Sequence, residues 1–406
     1  MTERTTDPYE AVDLYEAVYP NEAVDLYVAA GGGGDPVGTT ITGAALTRAA
    51  AFTGASALTG ASAGTGAVAG TPGTAGARPL IATYAWERPE VDPTPGPLGA
   101  ADFTGPAPEG GRYGDTLLLT PASRPVPPAG STLPRLAGDL PARLLLLDPC
   151  RGLAAMAAQI RRLADTVGAR HVRIVDMGGD ILAHGDEETL CSPLVDALAV
   201  AACTLAGVDA TVYVAGPGTD GEIPQHVLLD RLAGARHLTP TVRDADTAGT
   251  ALAWHPSEAS ALFAAAVHGA RGTVRTVERL IPLTDASARV YALGLDEALA
   301  RNTVARHLLD ACPDTLDEAA DLAARLTGIH ELERERRPPS GPTRPPVASP
   351  GPHGTAREAM ALIRERAPEA THATYRFAAR ALGLDWHHIP ALRTRLKADS
   401  PLLTLR

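Results

Sequence analysis

Lysine is almost missing from this chain. Of 406 residues only Lys397, near the C-terminal end, is a lysine, and arginine supplies all other permanent positive charge. Schiff-base chemistry, pyridoxal phosphate and a phosphate-binding P-loop each need a lysine in the site, so none of them is expected here. Arginine cannot substitute as a base or an amine, because it stays protonated. Cysteine is scarce too: Cys150, Cys191, Cys203 and Cys312 show no CxxC spacing, which fits reduced thiols in a cytoplasmic protein. Eighteen consecutive apolar residues occur nowhere, so no membrane span is expected. The polar, acidic start from Met1 to Asp7 lacks the regions of a signal peptide. A formal charge of −11 argues against nucleic acid as a partner. No cysteine–histidine pairing points to a covalent nucleophile.

What is present is a regular alternation. Short apolar runs at about Val24–Ala30, Pro79–Tyr84, Arg143–Asp148, His171–Asp176 and Ala210–Ala215 read as strands. Longer helical patterns at about Thr39–Phe52, Leu153–Val167, Ser192–Leu205 and Gln225–Leu232 separate several of them. Continuous apolar strands alternating with helices predict a mostly parallel sheet covered on both faces, an α/β three-layer sandwich. Residues 1–21, with their EAVDLY echo, read as an acidic extension, and 22–330 as the α/β ligand-binding domain. Residues 53–78 are nearly all Gly, Ala, Ser and Thr and predict a low-complexity insertion. A proline-rich linker is expected over 331–354, and a small C-terminal helical domain over 355–406, suited to a protein partner or self-association.

Ligands of open parallel sheets bind beyond the carboxyl ends of the strands. Here those ends carry Gly31–Gly34 with Asp35, then Asp148, then Asp176-Met177-Gly178-Gly179-Asp180, then Gly216–Glu222. Asp176, Asp180 and Asp220 are candidate ligands of Mg²⁺ or Mn²⁺, since hard oxygen donors suit those ions better than zinc. Asp180, His184 and Glu222 are candidates for proton transfer. Backbone amides of Gly32, Gly33 and Gly34, with Asp35, Arg88, Gly179, Gly218 and Thr219, are candidates for holding the ligand. The glycine loop matches neither GxGxxG nor GxxxxGK[ST], so close-turn geometry without a ligand competes with that role. Asp186, Glu187 and Glu188 read equally well as solvated acids ahead of a helix, and Ser192-Pro193 as its cap. Asp196 lies one turn inside that helix, facing the same end.

Several motifs together carry a family resemblance. They are Gly31–Gly34 with Asp35, Trp86-Glu87-Arg88 with the segment Asp92 to Pro97, Asp176-x-Gly178-Gly179-Asp180, and Gly185-Asp186-Glu187. Ser192-Pro193-x-x-Asp196-Ala197, Gly216-Pro217-Gly218-x-Asp220-Gly221-Glu222, Pro256-Ser257-Glu258-Ala259-Ser260 and Pro282–Ser287 continue the series. Over about residues 22–310 the chain resembles the domain-of-unknown-function family numbered 1152, found in archaea and actinobacteria. The resemblance implies one shared α/β domain and leaves its chemistry open.

The residues lead to an expected enzyme with a metal-assisted, carboxylate-rich site. Its substrate would be a small polar or anionic metabolite, phosphorylated in one version, undergoing hydrolysis, cyclisation or group transfer. The competing expectation is a nucleotide- or metabolite-binding regulatory module whose helical tail recruits a protein.

Overall fold

The computed structural model describes residues 25–33, 35–58, 78–105, 113–336, 355–397 and 399–406. The acidic extension 1–21, Gly34 and most of the low-complexity segment lie outside them. Among the described residues fourteen strands run in chain order: β1 (Leu26–Ala29), β2 (Leu80–Tyr84), β3 (Phe103–Thr104), β4 (Leu118–Leu119), β5 (Arg124–Pro125), β6 (Arg143–Leu147), β7 (Val172–Met177), β8 (Ala210–Ala215), β9 (Arg236–Leu238), β10 (Gly272–Arg275), β11 (Leu280–Leu283), β12 (Val290–Gly294), β13 (His372–Ala373) and β14 (Leu403–Thr404). The main sheet has eight strands in the order β4-β6-β2-β1-β7-β8-β12-β9. Its centre, β6-β2-β1-β7-β8, is parallel, while β4 and β12 pair antiparallel with their neighbours at either side.

Side chains alternate across this sheet, and each face builds its own core. Leu26, Val28, Ile174, Val212 and Val214 point to one side, Tyr27, Ala29, Ile81, Val175 and Met177 to the other. The second face is covered by α1 (Asp35–Leu58), α2 (Leu133–Asp139), α6 (Val242–Asp246), α7 (Gly249–Leu252) and α8 (Glu258–Val267). The first is covered by α3 (Gly152–Val167), α4 (Val195–Ala206), α9 (Leu295–Arg301), α10 (Thr303–Ala311) and α11 (Leu316–Thr327). Two short helices, α5 (Gln225–Arg231) and α12 (Glu331–Arg336), complete the α/β domain. This is the expected α/β three-layer sandwich, because strands apolar on both faces are buried only between helical layers. Among the described residues no helix is long and apolar enough to cross a membrane.

Two boundaries differ from the sequence reading. Helix α1 continues to Leu58, into the segment read as low-complexity from 53, because alanine offsets the cost of its interspersed glycines and threonines. Residues 331–336 form α12 rather than linker, with Leu332 in the core of the first face and Glu331 buried. The tail is helical as expected, with α13 (Ala356–Arg366), α14 (Tyr375–Ala381) and α15 (Ile389–Leu396) around Ile363, Phe377, Leu382 and Leu392. It is joined to the α/β domain by a second sheet, β11-β10-β13-β14, in which β13 runs parallel to β10.

The tail is also braced by polar contacts. Arg376 Nε donates to Glu90 at 2.5 Å, and its Nη1 lies 3.6 Å from Glu258. Glu258 accepts further from Thr374 Oγ1 at 2.5 Å and Val277 N–H at 3.0 Å, and Trp386 Nε1 donates to the Glu90 carbonyl. Arg376 and Glu258 are largely shielded, so the brace is worth ~1–2 kcal/mol of local stability rather than the near-zero of an exposed pair. Arg376→Met is therefore expected to speed amide hydrogen exchange in β13 and around Trp386 about tenfold, leaving β7 unchanged. Equal exchange in both proteins would show that the backbone pairing alone holds the tail.

Candidate functional site

The carboxyl ends of β1, β7 and β8 open into a cleft of about 460 Å³. Twelve carboxylates line it, from Asp35, Glu87, Glu90, Asp176, Asp180, Asp196, Asp220, Glu222, Glu258, Glu278, Glu331 and Glu335, against four guanidiniums, Arg88, Arg279, Arg334 and Arg376. At its floor Asp35, Asp176 and Asp196 each present a carboxylate oxygen, all within 4.8 Å of one another. They come from three elements: the first turn of α1, the end of β7 and the first turn of α4. Asp176 and Asp196 are 1% and 2% exposed, and Asp176 Oδ2 and Asp196 Oδ1 have no hydrogen-bond partner. A buried carboxylate without a donor or a cation is costly, which is why such oxygens are rare outside sites.

Burial and mutual repulsion push these acids toward the neutral form. Desolvation raises Asp176, Asp180 and Asp196 well above the usual carboxylate range, reinforced by the neighbouring acids. Asp35 is pushed up to about 7 by desolvation, partly relieved by the Gly31 N–H that donates to its Oδ2 at 2.9 Å. Desolvation and Glu222 likewise raise Asp220 to about 7. Asp180 lies within hydrogen-bond reach of both Asp176 and Asp220. Glu331, on α12 above the cleft, is raised by burial to about 8 although it accepts from Leu194 N–H at 2.7 Å.

The expected residues divide. Asp35, Arg88, Asp176, Asp180, Thr219, Asp220, Glu222, Gly32 and Gly33 all line the cleft. Asp35 belongs with the acids of the floor rather than with ligand-holding amides. The glycine loop is differently employed from the anion cradle expected of it. Gly33 N–H donates to the Trp86 carbonyl at 2.9 Å and Gly31 N–H to Asp35, so neither points at a ligand. A Cβ on Gly32 would meet that Trp86 carbonyl at 2.6 Å, and one on Gly33 the Glu87 carboxylate at 2.5 Å. These glycines let the Trp86–Glu87 segment press against β1, and Gly34 lies outside the described residues. Gly179 and Gly218 do not line the cleft; both have positive φ, and they make room for Leu228 and Gln225. His184 is exposed, outside the cleft, near Asp186 and Glu187. Glu187 is occupied by Arg231 Nη1 at 2.5 Å and by the His184 and Gly185 amides. Glu222 accepts from Cys191 N–H at 2.7 Å, Ser192 N–H at 2.8 Å and the Ser192 hydroxyl. Three donors on one carboxylate make it an anchor for the start of the Ser192 segment.

Comparison with known proteins assigns the chain a family and no reaction. A family model described as "Protein of unknown function (DUF1152)" matches residues 59–338, more than half of the chain. The chain belongs to this family. No curated protein matches, and no solved structure does. The DUF1152 match begins later than the resemblance read from motifs, after β1 and Asp35, and runs on through α12.

Sequence reasoning placed Asp196 at this end of the sheet but not among the ligands, and it missed Arg279, Glu331, Arg334, Glu335 and Arg376. A usable signal existed for some. Asp196 is a lone acid in the apolar run Leu194–Cys203, and Glu331, Arg334 and Glu335 share one helical face by their spacing. Glu335 accepts from Trp86 Nε1 and Gly96 N–H, both at 2.8 Å, and Arg334 donates to the Cys191 carbonyl.

The acids also fix a pH dependence. Because Asp35 sits near 7 when folded against 3.8 ordinarily, its contribution to stability is complete below about pH 4 and lost as pH rises through 7. In the presence of chelator, Asp35→Asn is expected to melt progressively above wild type between pH 5 and 8, by up to ~4 kcal/mol at the alkaline end. A difference independent of pH would show that Asp35 carries no such burden.

Proposed function

We propose that this cleft is the active site of a divalent-cation-dependent enzyme acting on a small polar metabolite by hydrolysis, cyclisation or group transfer. The observation that carries the reading is the pair of buried, partnerless oxygens on Asp176 and Asp196, within reach of Asp35. Three carboxylates and no nearby nitrogen or sulfur donor in that set favour Mg²⁺ or Mn²⁺. Asp35, Asp176 and Asp196 would hold the ion. When bound, it supplies Lewis-acid polarisation of a substrate oxygen at neutral pH.

The chain's own residues divide the remaining work. Asp220 lies in the cleft beside Asp180, with its Oδ1 held by Glu222 N–H at 3.1 Å and its Oδ2 without a partner. Arg88 is more than half exposed, with Glu222 4.0 Å away, and offers its guanidinium to an anionic group entering the cleft. Arg279 ties the walls instead: Nη1 donates to the carbonyls of Thr189 and Gly221. The 460 Å³ volume suits a metabolite rather than a polymer. Arg376 supports a reading of the tail as a wall of the site, since it both lines the cleft and grips Glu90.

Calorimetry with Mn²⁺ on the full chain tests the reading directly. Asp176→Asn and Asp196→Asn are expected to weaken Mn²⁺ binding by at least 100-fold. Their melting temperatures in chelator should equal or exceed wild type, because each removes a repelling charge. Undiminished Mn²⁺ affinity in both variants, or no Mn²⁺ binding by wild type, would remove the metal from the site.

A further inference from the structure

Resting on that reading, we infer that the cleft takes two divalent cations rather than one, the second between Asp180 and Asp220 with Asp176 shared between the sites. The first set accounts for Asp35, Asp176 and Asp196. It leaves Asp220 Oδ2 shut off from solvent with no hydrogen-bond partner. It also leaves Asp180, 7% exposed, within hydrogen-bond reach of Asp176 on one side and Asp220 on the other. Acids so placed need either protons or a cation between them.

The backbone is shaped for the arrangement. Gly178 has a φ of +119°, and a Cβ there would meet the Asp220 carboxylate at 2.2 Å, so only glycine lets Asp220 lie over the end of β7. The Gly218 N–H donates to the Gly178 carbonyl at 2.7 Å, tying the Asp220 turn to the Asp180 turn. Asp220 Oδ1 is already held by Glu222 N–H at 3.1 Å, which leaves Oδ2 as the outward ligand. Charge points the same way. One divalent ion among Asp35, Asp176, Asp180, Asp196 and Asp220 leaves most of five negative charges uncompensated, whereas a second nearly balances them. Two ions bridged by a carboxylate clamp both the entering and the leaving oxygen of a transferred group, so the substrate class narrows to one with an ester, phosphoryl or amide oxygen to bind between them.

Titration of the full-length protein with Mn²⁺ alone, read by metal analysis and electron paramagnetic resonance, decides this. Two Mn²⁺ per chain and an exchange-coupled spectrum are expected in wild type. Asp220→Asn should bind one, with an uncoupled spectrum and a melting temperature in chelator no lower than wild type. One Mn²⁺ per chain in wild type, uncoupled and unaffected by Asp220→Asn, would overturn the second site while leaving the first. No Mn²⁺ at all would overturn both. The coupled spectrum of wild type stands as evidence even if the variant fails to fold.

Discussion

Repulsion among buried carboxylates is the constraint around which this end of the molecule is organised. Asp35, Asp176, Asp180, Asp196 and Asp220 occupy the floor of one cleft, where two like charges a few ångströms apart interact far more strongly than in water. Folding such a set costs free energy that no interaction inside the cluster returns. Protons or cations must supply the difference, and the raised values of Asp35 and Asp220, both near neutrality, are what that competition looks like without a cation. The α/β frame around it is rigid enough to hold the strain. β1, β7 and β8 are buried central strands, and α1 and α4 pack on opposite faces of the sheet.

The fold relieves part of the repulsion with the ends of its helices. Asp35, Asp196 and Glu258 each lie in the first turn of a helix, where the exposed N–H groups carry partial positive charge. Acids are favoured there, each by less than the cost of full burial, so the dipoles temper the cluster without neutralising it. Arginine does the rest from the walls, not the floor. Arg279 and Arg334 spend donors on backbone carbonyls of the Thr189–Cys191 and Gly221 segments, so positive charge stabilises the loops and leaves the acids below to whatever binds.

Much of this was legible in the sequence, for a definite reason. Strand ends, glycines and acids are local features, and apolar strands alternating with helices leave few arrangements other than a parallel sheet whose carboxyl ends meet. Asp176, Asp180 and Asp220 were therefore recognisable as neighbours before any coordinates. Contacts made by the chain returning from far away were not legible. Arg376 reaches Glu90 across a separation of 286 residues, and Glu335 reaches Trp86 across 249. Short charged stretches such as Glu331–Arg336 look like linker because their few apolar anchors, here Leu332, carry little periodic signal. The glycine loop misled for a third reason. Glycine is demanded equally by a ligand and by a neighbouring backbone, and in this chain the Trp86 carbonyl and Glu87 take the space.

The same electrostatics restrict what can enter. Carboxylates outnumber guanidiniums among the lining residues, so a free polyanion meets a repulsive field on its way down. On the proposed reading a metabolite bearing phosphate or carboxylate would be admitted only by pairing that group with a metal ion or by leaving it at the mouth beside Arg88. A neutral polar metabolite avoids the difficulty and needs only to bring one oxygen to the floor. The near-total loss of lysine is consistent with this division: a flexible ammonium could fold into the cleft and neutralise the acids, whereas arginines fixed on loop carbonyls cannot. On the proposed reading the acidic floor stays available to a small divalent ion, and the selectivity of the cleft would follow from what that ion and Arg88 hold together.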